Sequence, residues 1–563
     1  MQHNLHCQQD ATLRAHCRQA YLTTSILTEQ NRYLAHQIFD QAHGFRVTRP
    51  NIFPSRHTGT EGEEWFFNPH IPYNPPMPHS PRVVKVVKAY APGKTDLLSV
   101  AWGLVALLTI YITHWLYRWR NPKTKGVLPP GSMGLPFIGE TIQLIMPSAS
   151  IDLPPFIKSR LKRYGPIFRT NVAGRPVIIS ADREFNYYIL RQDGRLVDTW
   201  SLDTFAEVFD QTSQSSRKYT RNLTLNHFGV EALKERLIPR MEDTIRETLA
   251  AWSSRESMEL TIDFAAKQLF SGDLEKAPLK LSDMFNDLVE GLMSFPLNIP
   301  GTAHHKCLKI HKEVRLMMGD VLKKRRMSPP SSSDDTDRQE DLLDHLIQDM
   351  NKESFLNEDF VVQLMFGLLF VTSDSVSTTL ALAFKLLAEH PSVLEELTAE
   401  HEEILKNREN AGSPLTWNEY KSMTFTLQVI NEVLRLGNIA PGLFRRALQD
   451  IPVNGYTIPK GWVIMIATAA LHLNSNQFDD PLVFNPRRWK DIQSSVVSKS
   501  FMPFGVGLKQ CAGAEYSRVF LATFLHVLVT KYRWAIVKGG KIVRAPIIRF
   551  PDGFHYKISE KIN

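Results

Sequence analysis

The sequence predicts a mainly α-helical chain with small β-sheets, preceded by a single membrane-spanning helix. Three observations predict it: an uncharged apolar run from Leu97 to Tyr117, a mainly helical pattern beyond about residue 137, and short β-branched runs that interrupt that pattern. The 563 residues are 43% hydrophobic, ample for a large core, and one large helical domain suits that length as well as several average ones.

The apolar run, "LLSVAWGLVALLTIYITHWLY", contains no Asp, Glu, Lys or Arg. At a rise of about 1.5 Å per residue it spans roughly 30 Å, the thickness of a hydrocarbon core. Trp115, Tyr117 and Trp119 form an aromatic belt, and Arg118, Arg120, Lys123 and Lys125 follow, which predicts a cytosolic carboxyl side. Lys85, Lys88 and Lys94 on the other flank weigh against that orientation, and a buried core helix is the alternative. Residues 1–96 are rich in His, Gln and Pro and read as a largely disordered extension or the product of a wrongly chosen translation start. Residues 118–136 are basic and end in "LPPGSMGLP", a Pro/Gly hinge that breaks any helix and aims the domain over 137–563 away from the membrane.

Within that domain, "FRTNVAGRPVIIS" (Phe168–Ser180) and "GYTIPKGWVIMI" (Gly455–Ile466) are strand-like, and "KKRRMSPPSSSDDTDRQED" (Lys323–Asp341) is a charged surface loop. A net charge of +8 suits an acidic partner or an anionic membrane surface. Without a zinc-finger pattern or a basic run interleaved with aromatics, nucleic acid is the weaker reading. The four cysteines, Cys7, Cys17, Cys307 and Cys511, are too few and too scattered for a disulfide framework or a close-paired zinc cluster.

Three constellations remain. In "FGLLFVTSDSVSTTLALAF", Asp374 is the only charged residue between Phe360 and Lys385. Such an acid is costly to bury unless paired or used, and the neighbouring hydroxyls can compete with helical hydrogen bonds and open a distortion; a face meeting water is the alternative. In "TFTLQVINEVLRLGN", Glu432 and Arg435 share a helix face among apolar residues, either as an ordinary ion pair or as a buried one completed by a further Arg. In "FMPFGVGLKQCAG", Cys511 sits among Gly505, Gly507 and Gly513, which would let backbone N–H groups approach its sulfur and leave room for a flat cofactor; an inert buried thiol is the alternative.

The order of these features, with "FNPRRW" (Phe484–Trp489) before the Phe-x-x-Gly-x-basic-x-Cys-x-Gly pattern, closely resembles the cytochrome P450 superfamily of haem-thiolate monooxygenases from about Leu97 onward. Runs such as "FPLNIPGTAHHKCLK" and "LTWNEYKSMTFTLQVINEVLRL" resemble the plant branch that oxidises sterols and triterpenoids, in particular the family numbered 87, with cucurbitane- or oleanane-type substrates. The resemblance implies haem b with Cys511 as axial iron ligand, and Phe504 and Gly513 beside it. It implies haem-propionate contacts for Lys509, Arg445 (with Arg446 as rival), Lys218 and Arg221, and an ion network of Glu432, Arg435 and Arg488. It implies proton delivery by Asp374 and Ser375 to bound O2, with electrons from NADPH through a cytochrome P450 reductase. It places the catalytic domain on the cytosolic side of the endoplasmic reticulum membrane. Lys509 stands where the family has Arg, Val506 where a glycine is common, and Ser375-Val376 where it has a Thr pair. Two other functions stay compatible: a haem-binding protein without monooxygenase activity, and a reductase-independent isomerase or dehydratase of the same fold.

Overall fold

The computed structural model describes residues 94–122, 124–209, 214–255, 258–259, 281–327, 341–410, 412–440 and 442–561. The expected extension lies outside them except for its last three residues, and the Lys323–Asp341 loop is described only at its two ends, since a helix continues through Met327.

The apolar run forms a helix, Lys94–Arg120, slightly longer than the expected span. Its aliphatic residues are exposed all round, which removes the buried-core alternative, and length and composition make Leu98–Arg120 a candidate membrane span. The helix stops at Arg120 because Pro122 disfavours helical backbone at Asn121. The hinge that follows is docked on the domain: the Arg169 N–H donates to Pro130 O at 2.8 Å, and the Trp115 ring lies 5.7 Å from Phe137.

Both strand-like runs become strands. Phe168–Ser180 forms the hairpin of β1 (Ile167–Val172) and β2 (Arg175–Ser180), turning at Gly174, whose φ of 82° suits glycine. With β3 (Val197–Thr199), β4 (Leu443–Ala447) and β5 (Val463–Ile466) they make one sheet in the order β1-β2-β5-β4-β3. Only the β2–β5 pairing is parallel in that sheet. A hairpin of Val543–Arg544 and Ile548–Arg549 also reaches toward the helices.

The rest is helical. The central helix Glu358–Glu389 starts where Asn357 accepts the Phe360 N–H, and buries Phe366, Leu369, Leu382 and Phe384 in the main core. Packed on it is Thr424–Gly437, whose first N–H groups, at Phe425 and Thr426, donate to the Glu400 carboxylate at 2.7 and 2.8 Å. That helix ends at Asn438, φ 50°, a left-handed cap. Ala514–Lys531 packs against Thr424–Gly437 and begins three residues after Cys511.

Candidate active site

Glu432 and Arg435 are completely buried and face each other, with Arg435 donating through Nε and Nη2 to the two Glu432 oxygens at 2.9 and 2.8 Å. Arg488 Nε adds a bond to Glu432 at 3.0 Å, and Trp489 Nε1 and the Asn485 N–H complete its coordination at 3.0 and 3.1 Å. Arg435 Nη1 donates to the carbonyls of His472 and Pro481 at 2.9 and 2.7 Å. Two charges without solvent are tolerable only when saturated in this way. The structure therefore brings together all three residues grouped in the sequence, and adds Trp489, Asn485 and His472.

The Cys511 loop is built on the same scaffold. Its N–H donates to Phe504 O at 2.9 Å, and Gly505 N donates to Met502 O at 3.1 Å. Gly507 has φ 79°, and a Cβ there would stand 2.7 Å from Leu190 O, so the loop can dock on that carbonyl only with glycine. A Cβ on Gly513 would lie 4.0 Å from the Cys511 sulfur, which places that backbone beside the thiol. Cys511 is free and presents an accessible side. The loop nevertheless crowds the sulfur: burial pushes the thiol pKa up, against the Gly513 N–H and the Arg221 and Arg518 guanidinium groups, which pull it down. Arg518 stacks over the Phe504 ring at 4.7 Å and pairs with Glu515 at 3.8 Å.

Arg221 reaches this loop from the helix Gln214–Phe228, donating to Gln510 O at 2.8 Å. Lys218 and Lys509 are exposed, without a hydrogen bond or ion pair among the described residues. Arg445 is buried in β4 while Arg446 points to the exposed side, as strand alternation requires. Arg445 donates to both oxygens of Asp193, at 2.7 and 3.2 Å. The sequence carried no local signal for Asp193, a lone acid in the polar turn "RQDGRL".

Asp374 is half-buried and paired: Arg549 Nη1 donates to its Oδ1 at 2.8 Å. The expected distortion is absent, and the central helix runs unbroken. Its hydroxyls are absorbed by bonds four residues back, Ser375 Oγ donating to Val371 O at 2.6 Å and Thr379 Oγ1 to Ser375 O at 2.7 Å. Val371 and Ser375 share a face, and Val371 is 56% exposed in a helix otherwise deep in the core. A small cavity in the domain is lined mainly by apolar groups, including Leu144, Trp200, Met293, Phe295, Phe444 and Met465. Phe444 belongs to β4, and its neighbour Leu443 packs beside Gly505, so one strand touches both the cavity and the cysteine loop. Of the Trp200–Arg217 stretch, residues 210–213 lie outside the described residues.

The cytochrome P450 profile matches residues 129–547. The chain belongs to the cytochrome P450 family. It is 49% identical over 471 residues to the β-amyrin 16α-hydroxylase CYP87D16 of Maesa lanceolata, covering 81% of this chain and 98% of that one. Identity to the cucurbitadienol 11-hydroxylase of Siraitia grosvenorii is 48% over 476 residues, covering 82% and 99%. Cytochrome P450 87A3 of Oryza sativa subsp. japonica is 44% identical over 506 residues, covering 86% and 97%. The solved structure of retinoic-acid-bound cyanobacterial CYP120A1 aligns with a TM-score of 0.67 at 24% identity, covering 78% of this chain and all (100%) of that one, and establishes the fold.

Membership makes this P450 a haem-dependent monooxygenase, and its residues fit that cofactor. A free thiol with an accessible side can ligate iron, the guanidinium of Arg221 reaches the Gln510 carbonyl next to it, and Val371 leaves an apolar point of the central helix uncovered.

Proposed function

We propose that this P450 is an anchored enzyme of the endoplasmic reticulum that hydroxylates a C–H bond of a triterpenoid or sterol, of cucurbitane or oleanane type. Residues 97–117 serve as anchor, 118–136 as hinge and 137–563 as the cytosolic catalytic domain, behind the extension over 1–96. Electrons come from NADPH through a flavoprotein reductase. The observation that carries the reading is the Cys511 loop, a free thiol with an accessible flank beside Arg221, in a chain nearly half identical to two triterpenoid hydroxylases.

Haem bound at this site supplies the oxygen-activating and C–H-cleaving chemistry. Cys511 would hold it as thiolate, with Phe504, Gly513, Lys509, Lys218, Arg221 and Arg445 around it. Burial alone favours the protonated thiol, so a cation at the sulfur would be what stabilises the thiolate. Ser375 Oγ, whose proton goes to Val371 O, keeps lone pairs that can accept, and Asp374, held by Arg549, is the neighbouring proton carrier. The apolar lining of the cavity, with Trp200 and Phe444 rings 5.7 Å apart in its wall, suits contact with an apolar polycyclic skeleton. Lys509 is the exposed cation of the proximal loop and suits an acidic reductase, whereas Arg518 is engaged with Phe504 and Glu515.

The test is the carbon monoxide difference spectrum of the reduced full chain in membranes, followed by turnover of a triterpene panel with reductase. The expected result is a red-shifted Soret band, lost in Cys511→Ser, and a mono-oxygenated product that requires reductase and NADPH. A haem-loaded chain without that band supports the silent haem-binding alternative, and turnover independent of reductase supports an isomerase or dehydratase.

A further inference from the structure

His472 is a fully buried imidazole that none of the chemistry above uses. It ends the short helix Thr468–His472, and each of its parts touches a different element of the site. Its carbonyl accepts from Arg435 Nη1 at 2.9 Å. Its ring lies 5.3 Å from that of Phe501, which in turn is 4.4 Å from Trp489, whose indole N–H holds Glu432. Its Nε2 accepts the N–H of Met502 at 2.9 Å. The accepting nitrogen carries no proton, so the proton sits on Nδ1, which is buried without a partner among the described residues. A buried donor left unmade is a standing penalty, retained here together with the bond on the opposite side of the ring.

What that bond holds is the first residue of a chain of backbone contacts. Met502 O accepts Gly505 N at 3.1 Å, closing the turn that contains Phe504. Phe504 O accepts the Cys511 N–H at 2.9 Å. Fixing the Met502 peptide therefore fixes the turn, and the turn fixes the residue that carries the thiol.

We propose that His472 is a positioning residue for the cysteine loop: its Nε2 grips the Met502 N–H and so transmits the buried Glu432–Arg435–Arg488 network to the register of Cys511. The proposal rests on the reading of Cys511 as haem ligand. It concerns how a ligand is held and not which reaction follows, and a group that orients a metal ligand from behind is worth roughly 10–100-fold in ligand affinity or activity.

Two substitutions separate the hydrogen bond from the packing. His472→Phe keeps a ring against Phe501 and removes the acceptor, whereas His472→Gln removes the ring and offers an amide oxygen at similar reach. In the reduced, carbon monoxide-bound full chain, H472F is expected to convert from the red-shifted to the blue-shifted Soret form roughly tenfold faster than the native protein. H472Q is expected to stay near native. Equal conversion rates for native and H472F overturn the proposal, as does equal loss in both variants, which would assign the effect to the ring. If H472F does not accumulate with haem, H472Q decides alone: native-like persistence supports the acceptor role and rapid conversion overturns it. A native chain lacking the red-shifted band would instead overturn the reading of Cys511, so the two failures are distinct.

Discussion

Arg549 donates to Asp374 Oδ1 at 2.8 Å, joining the last strand of a short hairpin to the middle of the central helix. Both side chains keep about a quarter of their surface exposed, 29% and 22%, so the acid is neither solvated freely nor sealed in the core. Arg549 Nη2 is buried without a partner among the described residues, and Asp374 is the carboxylate that its guanidinium meets there.

Removing that partner changes proton supply more than folding. Arg549→Met is expected to destabilise the enzyme by only about 1 kcal/mol, in the range between exposed and buried pairs. With Asp374 no longer held beside Ser375, product formed per NADPH consumed should fall while substrate binding holds. Unchanged coupling in a purified, reductase-supported assay would show that the pair is structural.

The fully buried Glu432 should respond quite differently. Glu432→Gln leaves Arg435 and Arg488 without their shared carboxylate, and breaking one partner of a buried pair costs about 3–5 kcal/mol. Little haem-loaded protein is expected, and denaturant unfolding of what accumulates should show a clearly lower midpoint at unchanged slope. A midpoint within error of native would contradict the account of the network.

Arg445 offers a test of shared duty. Its bidentate bond to Asp193 uses two of its donors, so Arg445→Lys should break the fork while keeping a charge. If Arg445 serves haem as well as Asp193, R445K loses haem faster than Asp193→Asn, which keeps the arginine. Haem transfer to an acceptor protein measures both rates, and equal rates would confine Arg445 to the ion pair.

Acid should loosen the fold through its buried histidines. Burial first, and neighbouring arginines next, hold His526 and His227 down to about 3, and burial beside His526 lowers His401 as well. Unfolded, these imidazoles titrate near 6.5. Between those values the unfolded chain binds more protons than the folded one, so their contribution is fully present above about pH 6.5 and is lost as the pH falls toward 3. The melting temperature should hold between about pH 8 and 7 and drop by about pH 5; a constant or rising value on acidification would exclude this origin.

How much of this was legible beforehand follows from how far apart the interacting groups lie. The uncharged run at Leu97–Tyr117 predicted a helix of the right length, and the glycine and proline punctuation around Phe168–Ser180 predicted a hairpin. Glu432 and Arg435 shared a face because a helix brings residues three apart together, and Cys511 stood out because glycines surround it. Hydroxyls near Asp374 misled in one respect, predicting a distortion where the helix takes each one back onto its own carbonyls.

Periodicity and spacing encode local neighbours, so the candidate residues and their order could be read from the chain alone. Their partners came from the closed fold. Arg549 stands 175 positions from Asp374, Asp193 stands 252 from Arg445, and the Met502 N–H meets an imidazole 30 residues earlier. Such partners leave no periodic trace, since they are selected by the need of each buried charge or polar group for a satisfied contact once the core has closed around it.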